Sequence, residues 1–289
     1  MTHAAIPTFY RGNRAMHRPG VADFHRRRGL MVLFGMTVLF LYGPIVTLIA
    51  FSFNDSRRNV VWRGFTTEWY ARAWEDDSLV VAFANSLTIA GLAMLLSLVL
   101  GVGLGMGLER YRFRGRKWVE TLTTLPIVIP EICLAVALFV FLQTLELPSD
   151  LAWPLNLGVI ALAHTTFCLP FVCLVIRVRM ASLGLSQEEA ARDLGANEWE
   201  IVRDVRLPHL RPALIAGAML AFTLSIDDFV ITFFLSTPGT ETFPVKVYSM
   251  VRFSVTPVVN AASTVLIVIT MVLTLIGVFM MRKIRSADG

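Results

Sequence analysis

The chain has 289 residues, of which 55% are hydrophobic and 16% are charged, and its formal net charge at pH 7 is +5. The mean hydropathy of +0.65 excludes a water-soluble globule, because a chain of this length cannot bury so much apolar surface in one core. Most of the positively charged residues are explained by the membrane topology described below. They predict contact with anionic lipid headgroups rather than with nucleic acid.

Long uncharged stretches predict an all-α fold with six transmembrane helices, since about 20 apolar residues cross a bilayer as a helix. Residues 1–29 form a basic N-terminal arm, and residues 30–289 form a single transmembrane domain. The third and fifth predicted spans each join two stretches across acids, at Glu131 and at the pair Asp227 and Asp228. The predicted spans cover residues 30–53, 78–108, 121–145, 151–176, 212–240 and 253–281.

The distribution of Lys and Arg predicts the orientation of these spans. An even number of spans places both termini on one side, and the basic residues of the two termini and of the second-to-third and fourth-to-fifth connections all lie on that side. The opposite side has few cations, namely Arg57, Arg58, Arg63, Arg72, Lys246 and Arg252. The positive-inside rule therefore places both termini in the cytoplasm. The first span is too long for a signal-peptide core and is predicted to be a retained anchor.

Small residues in the second predicted span indicate a site of close helix packing. Gly101 and Gly105, like Gly103 and Gly107, have the small-xxx-small spacing that allows two helix backbones to approach. The cysteines at positions 133, 168 and 173 lie within predicted spans without a metal-ligand spacing, and we expect them to pack as small apolar groups.

Motifs of a nucleotide site or of common catalytic centres are absent from the sequence. It contains no G-x-x-x-x-G-K-[ST], H-E-x-x-H, C-x-x-C or G-x-S-x-G. We therefore predict no catalytic residue, no metal ligand and no cofactor bound by this chain. If the protein moves a solute by ATP hydrolysis, ATP and Mg²⁺ must bind a separate ATPase subunit.

A polar segment, residues 186–208, lies between the fourth and fifth predicted spans on the cytoplasmic side. Ser186 and Glu189 have the spacing of a capping box, and Glu188 also suits the positive end of a helix dipole. Gly195 is expected to end this helix, and a second amphipathic helix is predicted over residues 198–206. The pattern by itself fits a solvated helical hairpin as well as a docking element.

This segment resembles the cytoplasmic signature of ABC-importer permeases. The resemblance is carried by Glu-Ala-Ala at residues 189–191, by Gly195 and by Leu207-Pro208, with Val205 where the family usually has isoleucine. In that family the first helix is a coupling helix that docks in a cleft of the ATPase. The resemblance implies docking contacts at Glu188, Glu189, Ala190, Ala191, Asp193, Leu194, Gly195, Ala196, Leu207 and Pro208.

Five further segments resemble the spermidine/putrescine type of these permeases. They are residues 64–70, 111–117, 163–172, 221–228 and 244–252. The resemblance implies polyamine import across a bacterial inner membrane by a complex with a second related permease, an ATPase homodimer and a periplasmic substrate-binding protein. It does not separate putrescine from spermidine, and another small organic solute is an alternative substrate.

Acids within the predicted spans are candidates for a cation pathway. An acid at a helix centre costs about 3 kcal/mol, so it normally faces a cavity or a partner. We predict a route lined by Asp227, Asp228 and Glu131 together with Thr223, and Phe229 adds a cation–π surface. Alternatively, an acid caps a broken helix without touching substrate. A hydrogen-bonded core position is expected for His164.

Two other classes of protein share some of these features. A secondary transporter can also have six spans and buried acids, but it does not require the pattern of residues 189–208, and no internal repeat is evident here. A membrane-embedded enzyme requires a cluster of nucleophile, base or metal ligands, and the sequence shows none.

Overall fold

A computed structural model describes residues 28–56, 61–145, 157–253 and 256–287, with side chains described as far as Met280. The predicted basic arm, residues 1–29, lies outside the described residues apart from its last two positions. Arg57, Arg58 and the predicted start of the fourth span, residues 151–156, also lie outside them.

The described residues form twelve α-helices and one π-helical segment, and a single bridge joins Asn54 to Phe65. Each α-helix is named here in chain order. They are α1 (Arg28–Phe51), α2 (Glu68–Glu75), α3 (Asp77–Arg110), α4 (Arg116–Val128), α5 (Glu131–Thr144), α6 (Gly158–Ala181), α7 (Leu185–Asp193), α8 (Glu198–Glu200), α9 (Leu207–Ile226), α10 (Val230–Leu235), α11 (Phe243–Phe253) and α12 (Pro257–Ala287). The π-helical segment, Ile201–Arg206, connects α8 to α9 without a break.

Five helices among the described residues are long and apolar enough to cross a membrane, and the pair α4 and α5 makes a sixth if it is one span. The five are α1, α3, α6, the continuous helix Glu198–Ile226 and α12. The axes of α4 and α5 differ by 115° at a break next to Pro130. The prediction of an all-α membrane fold is confirmed, and the number of spans among the described residues is five, or six if α4 and α5 together form one bent span.

The predicted fifth span differs from the structure at its end. The predicted span runs through residues 212–226 and 229–240 across the two aspartates, whereas α9 ends at Ile226 and a separate short helix, α10, begins at Val230. The helix reaches membrane length instead by beginning earlier, at Glu198. Asp227 and Asp228 therefore lie in a break between helices.

The chain divides into two compact units at Ala50. The first unit, described from Arg28, is the apolar helix α1, whose side chains are largely exposed. The second unit, from Phe51 onward, is organised around α3, α6 and α9, which pack against one another. Its main core joins side chains of α6 and α9, including Val172, Ile176 and Leu210.

The close approach of α3 to α6 depends on two of the four glycines predicted to pack closely. A Cβ atom on Gly105 would lie 2.7 Å from Ile176 Cγ2, and one on Gly101 would lie 2.7 Å from Val172 Cγ1. A Cβ atom added to Gly103 or Gly107 would meet nothing within 4 Å. Close helix packing is thus confirmed on one face of α3.

Gly105→Ala tests this contact, with Gly103→Ala as the matched control. The added methyl group of Gly105→Ala overpacks the α3–α6 contact at a cost of about 1–3 kcal/mol, offset by up to about 1 kcal/mol of helix propensity. Gly103→Ala gains propensity without a clash. We expect Gly105→Ala to lower the melting temperature of the detergent-solubilised protein and Gly103→Ala to leave it equal or higher. Equal melting temperatures for both variants would contradict the contact.

Candidate functional site

The start of α7 differs from the sequence prediction. The helix begins at Leu185, and its N-cap residue is Gly184, which has no side chain to cap it. The capping box predicted for Ser186 and Glu189 is therefore wrong, because Ser186 already lies in the first turn. A capping box does occur one helix later, where Asn197 Oδ1 accepts from Glu200 N at 3.0 Å and Asn197 N donates to Glu200 Oε2 at 2.7 Å.

The end of α7 is a Schellman motif centred on Gly195. This glycine has φ 88°, in the left-handed region that disfavours residues with a Cβ atom. Its amide donates to Arg192 O at 2.9 Å, and the amide of Ala196 donates to Ala191 O at 3.0 Å. The prediction that Gly195 ends this helix is confirmed.

The most deeply buried charges of this segment belong to Glu188 and Arg206, which are 1% and 2% exposed. Glu188 Oε2 accepts from Arg206 Nη2 at 2.7 Å, and Glu188 Oε1 accepts from Arg110 Nε at 2.7 Å. Arg206 Nη1 also donates to the hydroxyl of Tyr111 at 3.2 Å. Glu188, predicted as a docking contact, does not face outward, because both carboxylate oxygens are engaged inside the protein.

The pKa of Glu188 reflects this environment. Burial opposes ionisation of the carboxyl group, but the guanidinium groups of Arg206 and Arg110 outweigh it and hold the pKa below its ordinary value of 4.5. Glu188 is therefore a carboxylate at neutral pH. Sequence reasoning missed that Arg110 and Arg206 pair with Glu188, since cations beside a span are usual on the cytoplasmic side.

The outward surface of the segment consists of small and apolar side chains beside a few charges. Glu189, Ala190, Asp193 and Gly195 are exposed. Four further predicted docking residues are partly buried, namely Ala191, Ala196, Leu207 and Pro208. Leu194 is 90% exposed. Two further exposed apolar side chains, which the sequence analysis did not select, flank this surface at Leu185 and Trp199.

The two adjacent aspartates face different surroundings. Asp227 is exposed and lines a cavity of 380 Å³, whereas Asp228 is only 6% exposed. The cavity is otherwise lined mainly by apolar and aromatic side chains. The lining residues besides Asp227 are Phe229, Phe243, Pro244, Val247, Tyr248, Val251, Ser263 and Leu266.

Aromatic rings form a cluster at the edge of this cavity. The ring of Phe229 lies 4.9 Å from that of Tyr248 and 5.2 Å from that of Phe233. Thr223 is exposed one turn before Asp227, and its carbonyl oxygen accepts from the Asp227 amide at 3.3 Å. The cavity therefore combines one accessible carboxylate with π-surfaces.

Asp228 belongs to a buried polar cluster at the helix break. Its Oδ1 atom accepts from Thr232 N at 3.2 Å and lies 3.4 Å from His164 Nε2. His164 also pairs with the hydroxyls of Ser225 at 2.7 Å and Thr232 at 2.9 Å, as expected of a hydrogen-bonded core histidine. Asp228 thus accepts a hydrogen bond from a backbone amide in the first turn of α10.

Glu131 opens α5 beside the same break and is partly buried. Its carboxyl group lies close enough to that of Asp228 for the two to interact. The structure therefore brings Glu131 and Asp228 together and leaves Asp227 in the cavity. Among the described residues, no group of three or more His, Cys, Asp or Glu side chains is placed to hold a metal ion.

A broken-helix membrane domain with a cytoplasmic two-helix segment defines a class of transport protein. The family model described as "Binding-protein-dependent transport system inner membrane component" matches residues 97–286. The chain belongs to this family. The match includes both the segment around Gly195 and the break at Asp227.

Curated relatives cover most of the chain. The "Spermidine/putrescine transport system permease protein PotC" of Shigella flexneri is 38% identical over 250 residues, which is 86% of this chain and 92% of that protein. PotC of Escherichia coli K12 is 39% identical over 82% of this chain and 87% of its own length. The "Putrescine transport system permease protein PotI" of the same strain is 39% identical over 83% of this chain and 85% of its own length.

Solved structures with the same fold are more distant in sequence. A bacterial ABC transporter involved in import of the acidic polysaccharide alginate matches with a TM-score of 0.73 at 19% identity, over 91% of this chain and 96% of that chain. The alginate transporter in complex with a pentasaccharide-bound periplasmic protein matches with a TM-score of 0.71 at 20% identity, over 91% and 97%. These similarities show the fold.

The pH dependence of α7 tests the ion pairs of Glu188. Because the folded pKa is lowered, their stabilisation is complete above the ordinary glutamate pKa of 4.5 and is lost as the pH falls through the folded pKa. We expect the opening free energy of the α7 amides, measured by hydrogen exchange, to stay constant from neutral pH down to the ordinary value and to fall at lower pH. Glu188→Gln should remove this acid-dependent step. A decline in the wild type between about pH 7 and pH 6 would contradict the assignment.

Proposed function

We propose that this chain is a permease subunit of an ATP-driven importer in a bacterial inner membrane, and that it forms half of a pathway for putrescine or spermidine. The observation that carries the proposal is the 38–39% identity to PotC and PotI over more than four-fifths of the chain. The other subunits in this proposal are a second related permease, an ATPase homodimer and a periplasmic substrate-binding protein. ATP and Mg²⁺ belong to the ATPase.

The outward surface of α7 supports docking to that ATPase. Small side chains at Ala190, Ala191 and Ala196 allow a partner to approach the helix, and Leu194 offers an apolar anchor of the kind that dominates interfaces. We assign the docking contacts to Glu189, Ala190, Ala191, Asp193, Leu194, Gly195 and Ala196. Leu207 and Pro208, which are partly buried in the continuous helix Glu198–Ile226, lie at the edge of this proposed docking surface.

The cavity beside Asp227 supports a cationic substrate. A carboxylate attracts an alkylammonium group, and the faces of Phe229 and Tyr248 add cation–π attraction. The apolar remainder of the lining suits the methylene groups between two amines. We therefore assign Asp227, Thr223 and Phe229 to the pathway. We propose that Asp228 and Glu131 do not contact the substrate but stabilise the helix breaks beside it.

Substitutions at Gly195 test the docking surface. Gly195→Val places a β-branched residue at positive φ, which is strongly disfavoured, and is expected to reduce the ATPase that co-purifies with the permease by about tenfold or more. Gly195→Asn is the matched control, since Asn tolerates the left-handed conformation and should retain most of the ATPase. ATP-dependent uptake that continued with the ATPase absent would contradict the proposal.

Asp227→Asn tests the cation pathway in a reconstituted complex. We expect uptake of radiolabelled putrescine and spermidine to fall about tenfold, because a neutral amide loses the charge attraction to an ammonium group. Glu75→Gln, at the exposed end of α2, removes the same charge outside the cavity and should have no effect. The ATPase should co-purify equally with both variants.

Two results would contradict this assignment. Wild-type uptake by Asp227→Asn would exclude the cavity as the cation route. Transport of a neutral or anionic solute in a panel that includes both polyamines, without transport of either amine, would exclude the substrate class.

A further inference from the structure

The ion pairs of Glu188 lie at the junction between the proposed docking surface and the membrane domain. A buried charge is costly unless it is paired and hydrogen-bonded. Glu188 meets this requirement through two arginines that are remote in sequence, Arg110 and Arg206. One carboxylate in α7 is thus bonded to groups on two membrane helices.

Each arginine connects α7 to a different span. Arg110 is the last residue of α3, and its Nη2 atom also donates to Leu183 O at 2.7 Å and to Met180 O at 3.3 Å, at the end of α6. Arg206 ends the π-helical segment that continues into α9. The Glu188 carboxylate therefore joins α7 to the cytoplasmic ends of the second, fourth and fifth spans.

The other connections of α7 are weaker. The helix packs against the π-helical segment. The ion pair Arg192–Glu198 spans the turn between α7 and α8 at 2.8 Å, but both side chains are about half exposed, and such pairs contribute little. The pairs of Glu188 are therefore the strongest side-chain connection between α7 and the spans.

We propose that Glu188 is a positioning residue that makes α7 move together with α3, α6 and α9, so that motion of the ATPase reaches the pathway. This inference deepens the proposed function and rests on it. Because Glu188 is buried, it acts behind the docking surface and does not contact the ATPase itself. Its loss should separate two activities that are coupled in the intact complex, ATP hydrolysis and import.

The test uses the reconstituted full complex and measures polyamine imported per ATP hydrolysed. Glu188→Gln keeps the size of the side chain but removes its charge. We expect the ATPase to remain bound and ATP hydrolysis to stay within about twofold of the wild type, whereas the ratio of import to hydrolysis falls about tenfold. Asp204→Asn is the matched control, because it removes an exposed acid paired with Arg203 on the neighbouring segment and should leave the ratio unchanged.

Arg110→Lys provides a second variant if Glu188→Gln does not fold. Lysine keeps the positive charge beside Glu188 but cannot bond the carboxylate and the α6 carbonyl groups together, since it lacks the fork of arginine donors. We expect the ratio of import to hydrolysis to fall about threefold for this variant.

Three outcomes are decisive. A ratio unchanged within about twofold in Glu188→Gln and Arg110→Lys would overturn the inference. Loss of the ATPase from the purified variants would also overturn it, since Glu188 would then only maintain the shape of the docking surface. Absence of ATP-dependent polyamine import in the wild-type complex would instead reject the proposed function on which the inference rests.

Discussion

The close contact between α3 and α6 determines how the cytoplasmic ends of these two helices meet. Gly101 and Gly105 have no side chains, so Val172 and Ile176 rest directly on the α3 backbone. This approach brings the end of α3 beside the end of α6, where Arg110 reaches the carbonyl oxygen of Leu183. The same guanidinium group then binds Glu188, so the orientation of the cytoplasmic helix follows from packing inside the membrane.

The two helix breaks show how polar groups are accommodated in an apolar environment. A break frees backbone groups that water cannot reach in a bilayer, and protein atoms must satisfy them. Asp228 accepts a hydrogen bond from the amide of Thr232, while the hydroxyl of Thr232 pairs with His164. Asp227, one residue earlier, is exposed and lines a cavity instead. The two adjacent aspartates thus occupy different environments. Asp228 is buried and stabilises the helix break, whereas Asp227 is accessible from the cavity.

Sequence reasoning identified the spans because hydropathy over about twenty residues is a local property that packing does not change. It located the helix end at Gly195 for a similar reason, since the requirement for a left-handed residue is local. It misplaced the capping box, because a start at Leu185 and a start after Ser186 satisfy the same propensities. It could not find the pairing of Glu188, whose partners lie 18 and 78 positions away and meet it only through tertiary packing.

The π-helical segment Ile201–Arg206 has a consequence for how this region tolerates changes of length. A π-helical turn accommodates one residue more than an α-helical turn, and each residue of an α-helix advances the chain by about 100° around its axis. Deleting one residue there would narrow the wide turn to an α-helical one, and the helix on either side would keep nearly the same facing, because the π-helical turn absorbs the extra residue locally. Trp199 and Asn197 would then still face the same side of the molecule, whereas a deletion in the regular helix α9 would turn them by about 100°.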